Sequence, residues 1–315
     1  MIRYYTKKDQ KLISLEKEDQ AAWINISPPF EHGELEDFAN DHDIPLDFLV
    51  DSLDVDERSR YEREENANLI LVNTPLLNED MKENEAIYYT APVGIIIIEE
   101  KIVTISSREN PIIDKFLEDR VKNFNPNDAK LFVLQIFEQN VFRFLECLKK
   151  LNLKRNLIEQ ELYHSSRNKE LQQLLRIEKS LVYFVNSLSA NELLKLKMKR
   201  TDLLQIRDLE FHSDLFEDVI IDNGQALEMS NVHTNILSGT METYASIVSN
   251  NMNAFINRLT IITIVLMVPT LVYSFYGMNV KLPGADSPYT FIWIIIISVV
   301  FVSVLLIFMR RNQQF

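Results

Sequence analysis

The chain has 315 residues, a net charge of −13, 46% hydrophobic residues, 6 glycines and a single cysteine, Cys147. That length admits more than one folded unit, and one cysteine excludes an intrachain disulfide or a multi-thiolate zinc centre. The acidic balance argues against a nucleic-acid partner, and the absence of any Gly-Lys-Ser/Thr string argues against a phosphate-cradling loop and ATP-driven chemistry.

At the front, Met1–Thr6 lacks the apolar core of a signal peptide, so none is expected. Short β-branched and apolar runs predict strands over Ile2–Tyr5, Ala22–Ser27, Asn68–Thr74, Val93–Glu99 and Lys101–Ser106. Gly94–Ile98 shows no polar alternation, which predicts a central strand covered on both faces. Between these strands Glu31–Leu53 looks helical, giving an α/β domain. Asp51, Asp54 and Asp56 lack the glycine that a calcium loop needs at its sharp turn and read as an exposed helix end.

Beyond Pro126-Asn127-Asp128 the apolar period lengthens to three and four. Phe137, Val141, Phe144 and Leu148, then Leu174, Ile177, Leu181 and Phe184, predict two long amphipathic helices over Leu131–Tyr163 and Lys169–Leu188. A turn is expected at Ser165–Asn168. Ser189-Ala190-Asn191-Glu192 has the spacing of a capping box and predicts that a further helix segment begins there.

From about Gln225 no proline occurs until Pro269, so one helix is expected to run through Tyr276, 52 residues or roughly 78 Å long. Its last part, Leu259–Phe275, is an uncharged run of 17 residues, and Phe291–Met309 supplies another 19 without charge or proline. A bilayer core needs about 20 such residues, so two membrane spans are predicted. The expected organisation is a cytoplasmic α/β domain with long helices over 1–224, a stalk helix over 225–257 and a transmembrane domain over 258–315. The last divides into spans 259–276 and 291–309, an outer loop 277–290 and a short tail.

Charge orients the spans. Arg258 precedes the first and Arg310 and Arg311 follow the second, while the link holds only Lys281 and Asp286, so both termini are expected on the cytoplasmic side of the plasma membrane. Residues 1–257 carry 29 basic against 45 acidic residues, a net −16 that concentrates cations nearby.

Along the first span, Asn253, Ile256, Thr260, Thr263, Met267, Thr270 and Ser274 follow one another at spacings of three and four. Two readings are open for this seam. It lines an aqueous pore built by several copies of the chain around an axis, since two spans cannot enclose one; or its hydroxyls bond between packed helices.

Tyr276-Gly277-Met278-Asn279 directly after the first of two terminal spans resembles the CorA family of magnesium channels, whose signature is Gly-Met-Asn. Leu259–Thr263, Val268–Leu271, Trp23–Pro28 and Asp51–Asp54 resemble that family in the same order, so the likeness covers the whole chain. It implies a funnel-shaped homo-oligomer, a pentamer, that passes Mg²⁺ and also Co²⁺ or Ni²⁺. Asn279 would present carboxamide oxygens to hydrated Mg²⁺ at the mouth, Gly277 would let the chain leave the helix tightly, and Met278 would pack the turn. Thr270 and Met267 match family pore positions, with Met267 and Leu259 at its hydrophobic constrictions. Glu242 matches an acidic pore position, or is a solvated helix face. Asp218 and Asp222, on one helical face at i and i+4, match the family's regulatory positions, where cytosolic Mg²⁺ bound between subunits closes the channel; alternatively they are a surface acidic cluster.

The outer loop departs from the family pattern: Val280–Asp286 lacks the glutamate many relatives carry. The expected function is therefore a passive, gated channel for Mg²⁺, embedded in lipid, with no organic cofactor and no enzymatic activity. A proton-coupled Zn²⁺ exporter of the same superfamily is the alternative, against which Met278 counts, and a non-conducting membrane-anchored cation sensor is the third reading.

Overall fold

The computed structural model describes residues 1–8, 11–31, 33–64, 66–79, 85–99, 101–162, 168–280, 287 and 289–311. They form two compact units, Met1–Met241 and Glu242–Phe315.

The first unit is built on a seven-stranded sheet. Its strands are β1 (Ile2–Lys8), β2 (Lys11–Leu15), β3 (Trp23–Ile26), β4 (Arg60–Arg63), β5 (Ala67–Leu77), β6 (Tyr88–Ile98) and β7 (Lys101–Ser106). Their order is β2-β1-β3-β7-β6-β5-β4, with β3 and β7 parallel and every other pair antiparallel. The five expected strands are present, and Gly94–Ile98 lies in β6, between β5 and β7. The two unexpected strands, β2 and β4, are the sheet edges; β4, Arg60-Tyr61-Glu62-Arg63, is mostly charged, which blunts pairing with another chain, and β2 is a five-residue strand with one charge, Lys11. Pro75 and Pro92 sit inside β5 and β6 only because the neighbouring β4 and β7 have already ended there, pairing no further than Leu71 and Val93.

The stretch expected to be helical, Glu31–Leu53, holds two helices, α1 (Glu34–Asp41) and α2 (Leu46–Asp51). Asp43 adopts φ 51° and Pro45 stands before α2, so the chain turns rather than continuing. Both helices bury Phe38, Phe48 and Leu49 against Ile24, Ile26, Leu69, Leu71, Ile96 and Ile105 on one face of the sheet. Beyond β7 lies α3 (Pro111–Leu117), which starts on Asn110, whose side chain accepts from the Ile112 amide. On the other face Trp23, Phe116, Phe124 and Phe132 meet edge to face and tilted, with ring centroids 4.7 to 5.8 Å apart.

The long helices are α4 (Ala129–Leu162) and α5 (Asn168–Thr201). Most of the expected turn between them, Ser165–Arg167, lies outside the described residues. The expected new helix at Ser189–Glu192 does not occur: α5 runs through it without interruption. Asn191 is wholly buried and serves the sheet instead. Its Nδ2 donates to the Asn73 carbonyl at 2.9 Å and its Oδ1 accepts from the Asn73 amide at 3.1 Å, while Asn140 on α4 donates to the same carbonyl. The capping pattern is local, but the unpaired backbone of β5 beyond β4 is a stronger claimant for that side chain.

Helix α6 (Glu210–Tyr276) starts 15 residues before the expected stalk and continues through the expected span. Its first turns bury Phe216, Val219, Asn223, Ala226, Ser230 and Leu237. Lys195 on α5 is 0% exposed, with its ammonium donating to Asn223 Oδ1 at 2.6 Å above the Phe137 ring. Burial pulls its pKa down to about 7, against the smaller opposing effect of Glu192 one turn earlier. Between about pH 7 and 10.5 the unfolded chain therefore holds a proton that the folded chain has released, so stability rises with pH across that window and is lowest below it. The full displacement corresponds to about 5 kcal/mol. Melting of the detergent-solubilised protein is expected to shift upward from pH 7 to 9. In Lys195→Met that slope should flatten; an unchanged slope would place the titration elsewhere.

The second unit contains the remainder of α6 and α7 (Thr290–Arg311). Both helices are long and apolar enough to cross a membrane. Pro269 lies inside α6, where it removes one backbone donor without ending the helix.

Candidate functional site

Within the second unit, exposure divides α6 into two faces. Ile261, Ile264, Val265, Val268, Pro269 and Val272 are half-covered, at the three and four spacing of one helical strip. The matching strip on α7 is Ile294, Ser298, Val302 and Leu305, with Ser298 only 1% exposed and its hydroxyl donating to the Ile294 carbonyl at 2.8 Å. These are the covered faces of the two helices. Sequence reading overlooked Ser298, a hydroxyl flanked by isoleucine and valine.

The polar seam lies on the opposite side of α6, at about 100° per residue. Asn253, Ile256, Leu259, Thr260, Thr263, Met267, Thr270 and Ser274 are all exposed; Met267 is 64% exposed in the isolated chain. Three of the hydroxyls have a defined acceptor. Thr260, Thr263 and Thr270 donate to the carbonyls of Ile256, Leu259 and Leu266 at 2.9, 2.9 and 2.7 Å. Each threonine oxygen has thus spent its proton on its own helix and keeps its acceptor lone pairs.

At the seam's end α6 stops at Tyr276. The Gly277 amide donates to the Tyr273 carbonyl at 3.0 Å and the Met278 amide to that of Phe275 at 3.4 Å. Gly277 does not take up the left-handed conformation that a tight glycine exit uses, so the expected reason for glycine is replaced by another. A Cβ there would stand 3.3 Å from the Tyr273 oxygen and 3.4 Å from that of Ser274, pressing on the carbonyls that close the helix. Tyr276, Met278 and Asn279 are exposed beside it. Lys281–Asp286, the departure from the family pattern, lies outside the described residues.

Glu242 is exposed on α6 at the start of the second unit. Asp218 and Asp222 belong to the first unit, Asp218 exposed and Asp222 half-buried, flanking the strip that packs Val219 and Asn223 inward. Among the described residues no three His, Cys, Asp or Glu side chains come together around one point. Two carboxylates one helical turn apart fit Mg²⁺ as partial ligands, because the ion prefers oxygen donors and retains several waters.

Comparison with known proteins bears on the same segments. The model of a family described as CorA-like Mg²⁺ transporter protein matches residues 18–311. The cobalt/magnesium transport protein CorA of Methanocaldococcus jannaschii is 26% identical over 313 residues, covering 96% of this chain and 95% of that protein. The magnesium transport protein CorA of Helicobacter pylori is 23% identical over 255 residues, covering 79% of this chain and 77% of its own. The complete structure of the M. jannaschii CorA magnesium transporter superposes with a TM-score of 0.81 at 23% identity, over 100% of this chain and 99% of that one. The fold is therefore that of a full-length CorA, from the mixed sheet to the two terminal helices. Matched by the family model along nearly its whole length, the chain belongs to the CorA-like Mg²⁺ transporter proteins, a family of ion transporters and not of enzymes.

Proposed function

We propose that this chain is a passive channel for Mg²⁺, also admitting Co²⁺ or Ni²⁺, in which several copies place the exposed seam of α6 around a common axis in the plasma membrane. The observation that carries the reading is the division of α6: one face of its apolar run is half-covered, and the face bearing Ile256, Thr263, Met267, Thr270 and Ser274 is left open down to Asn279. The family likeness implies five copies, with both termini cytoplasmic.

Mg²⁺ gives up its water reluctantly, so the pore wall must receive the ion's hydration shell. Water bound to a cation offers protons outward, and threonine oxygens that have already donated to their own helix are suited to accept them. Asn279 performs the same service at the mouth with its carboxamide oxygen, and Glu242 draws the cation toward the cytoplasm. Met267 and Leu259, between polar rings, are narrow apolar points where a closed pore dewets. The outward apolar residues of α7, Phe291, Trp293, Ile297 and Val304, meet lipid.

Closure belongs to Asp218 and Asp222. Cytosolic Mg²⁺ held there, with the remaining ligands from a neighbouring copy and water, draws the α6 helices together; its loss restores mutual repulsion and opens the path.

The test is Mg²⁺ influx into proteoliposomes under an inside-negative potential, worth about 2.3 kcal/mol per charge per 100 mV. Saturating influx at low internal Mg²⁺ is the expected result. No influx from a verified oligomer would sink the channel, and Zn²⁺ efflux that follows an imposed proton gradient would assign an exporter instead. Millimolar internal Mg²⁺ is expected to suppress the wild type but to suppress Asp218→Asn/Asp222→Asn at least ~5-fold less, the lower end of usual coupling energies. Equal suppression of both would remove these carboxylates from the gate.

A further inference from the structure

The turn between α5 and α6 holds a cleft of about 480 Å³ that conduction does not use. Its charged lining is Lys199, Arg200, Arg207 and Asp202, three cations to one anion in a chain of net charge −13. The lone carboxylate is already engaged, since Asp202 Oδ1 accepts from the Ile206 amide at 3.0 Å and holds the turn, in which Asp202 and Gln205 both take left-handed backbone. Lys199 pairs with Glu217, whereas Arg200 and Arg207 are exposed and make no ion pair among the described residues. The rest of the lining is largely apolar and includes Leu196, Leu204, Ile206 and Phe216.

Arg200 and Arg207 both line this one opening, and a guanidinium fork matches phosphate oxygens in geometry. The first turn of α6, which contributes Ser213 to the lining, adds the positive end of a 67-residue helix. Ligand pockets for small organic molecules occupy about 300–1,000 Å³ and combine an apolar wall with a few fixed polar groups. Inorganic phosphate would fill a small part of this space and leave the apolar wall bare. A hydrated divalent cation would face the wrong charge.

We propose that this cleft binds a nucleoside polyphosphate, with the phosphates on Arg200 and Arg207 and the base against Leu196 and Phe216. The site is cytoplasmic by the orientation proposed above, but its occupation does not depend on conduction. Binding there bridges the end of α5 and the first turn of the pore helix.

Calorimetric titration of the purified full-length protein in detergent, with chelator present to remove Mg²⁺, tests this directly. ATP is expected to bind saturably with a Kd at or below about 1 mM. Arg200→Ala/Arg207→Ala should weaken it at least ~10-fold, as loss of two charge-assisted contacts requires. Inorganic triphosphate should bind several-fold more weakly than ATP, and Leu196→Asp should abolish that difference while the melting temperature stays within a few degrees of wild type. Absence of saturation, or equal ATP affinity in wild type and the double arginine variant, would overturn the site. Equal affinity for triphosphate and ATP in the wild type would overturn the nucleoside and leave a plain polyphosphate cleft.

Discussion

Asn279→Ala is expected to lower Mg²⁺ influx into proteoliposomes by about 10- to 100-fold while the protein remains folded and oligomeric. The size follows from the chemistry. A hydrogen bond to a charged partner contributes about 1.5–3 kcal/mol, and 1.4 kcal/mol is a factor of ten. Each copy would lose one carboxamide oxygen that accepts from the ion's hydration water. The side chain is exposed beyond the end of α6, so its truncation leaves no buried cavity and little cost in stability. Asn279→Gln keeps the acceptor but moves it by a methylene, and intermediate influx is the expected result. The readout is initial uptake rate at low internal Mg²⁺, with oligomeric state checked by size-exclusion chromatography. An alanine variant conducting at the wild-type rate would show that cation capture does not use this residue.

The largest expected effect on stability lies in the first unit. Gly94 in β6 faces Leu71 of β5 and Ile105 of β7, and the end of α2 sits directly over it. A Cβ there would stand 2.6 Å from Ser52 Cβ and 2.7 Å from Ile105 Cγ2, and closer still to Ser52 Oγ. Ser52 cannot yield: it is 0% exposed and its hydroxyl donates to the Phe48 carbonyl at 2.6 Å. Gly94→Ala is expected to cost about 3 kcal/mol, the upper part of the usual overpacking range, because backbone of both sheet and helix must move. Gly94→Val should prevent the first unit from folding. Gly239 provides the contrast, since it lies within α6 with nothing near its would-be Cβ. Gly239→Ala should raise stability by up to about 1 kcal/mol through helix propensity. Thermal melting in detergent separates the two; a tolerated Gly94→Val would mean that α2 does not bear on the sheet at this point.

Much of the architecture was legible residue by residue. The two spans announce themselves because a membrane helix must be apolar over its whole length, and the spacing of Phe137, Val141, Phe144 and Leu148 announces α4 because helical periodicity is a property of neighbours in sequence. The seam of α6 and the Tyr276–Asn279 string were readable for the same reason. The edge strands β2 and β4 were not: the charges of β4 discourage edge pairing rather than serve a core, and β2 is five residues long with none of them buried.

Longer-range choices escaped a local reading. Nothing near Asn191 says that its amide will serve the backbone of β5, 118 residues away in sequence, and the nearby capping pattern points elsewhere. The same holds for Lys195, whose buried ammonium meets Asn223 across two helices, and for Arg200 and Arg207, which become a pair only when the turn folds them to one opening. By itself the sequence determined the helical periodicity, the two long apolar helices and the family, because these rest on the hydropathy and spacing of adjacent residues. Tertiary structure alone decided strand order, which face of α6 is left open and which polar groups are buried together, because those depend on the cost of leaving a backbone group or charge unpaired among distant segments.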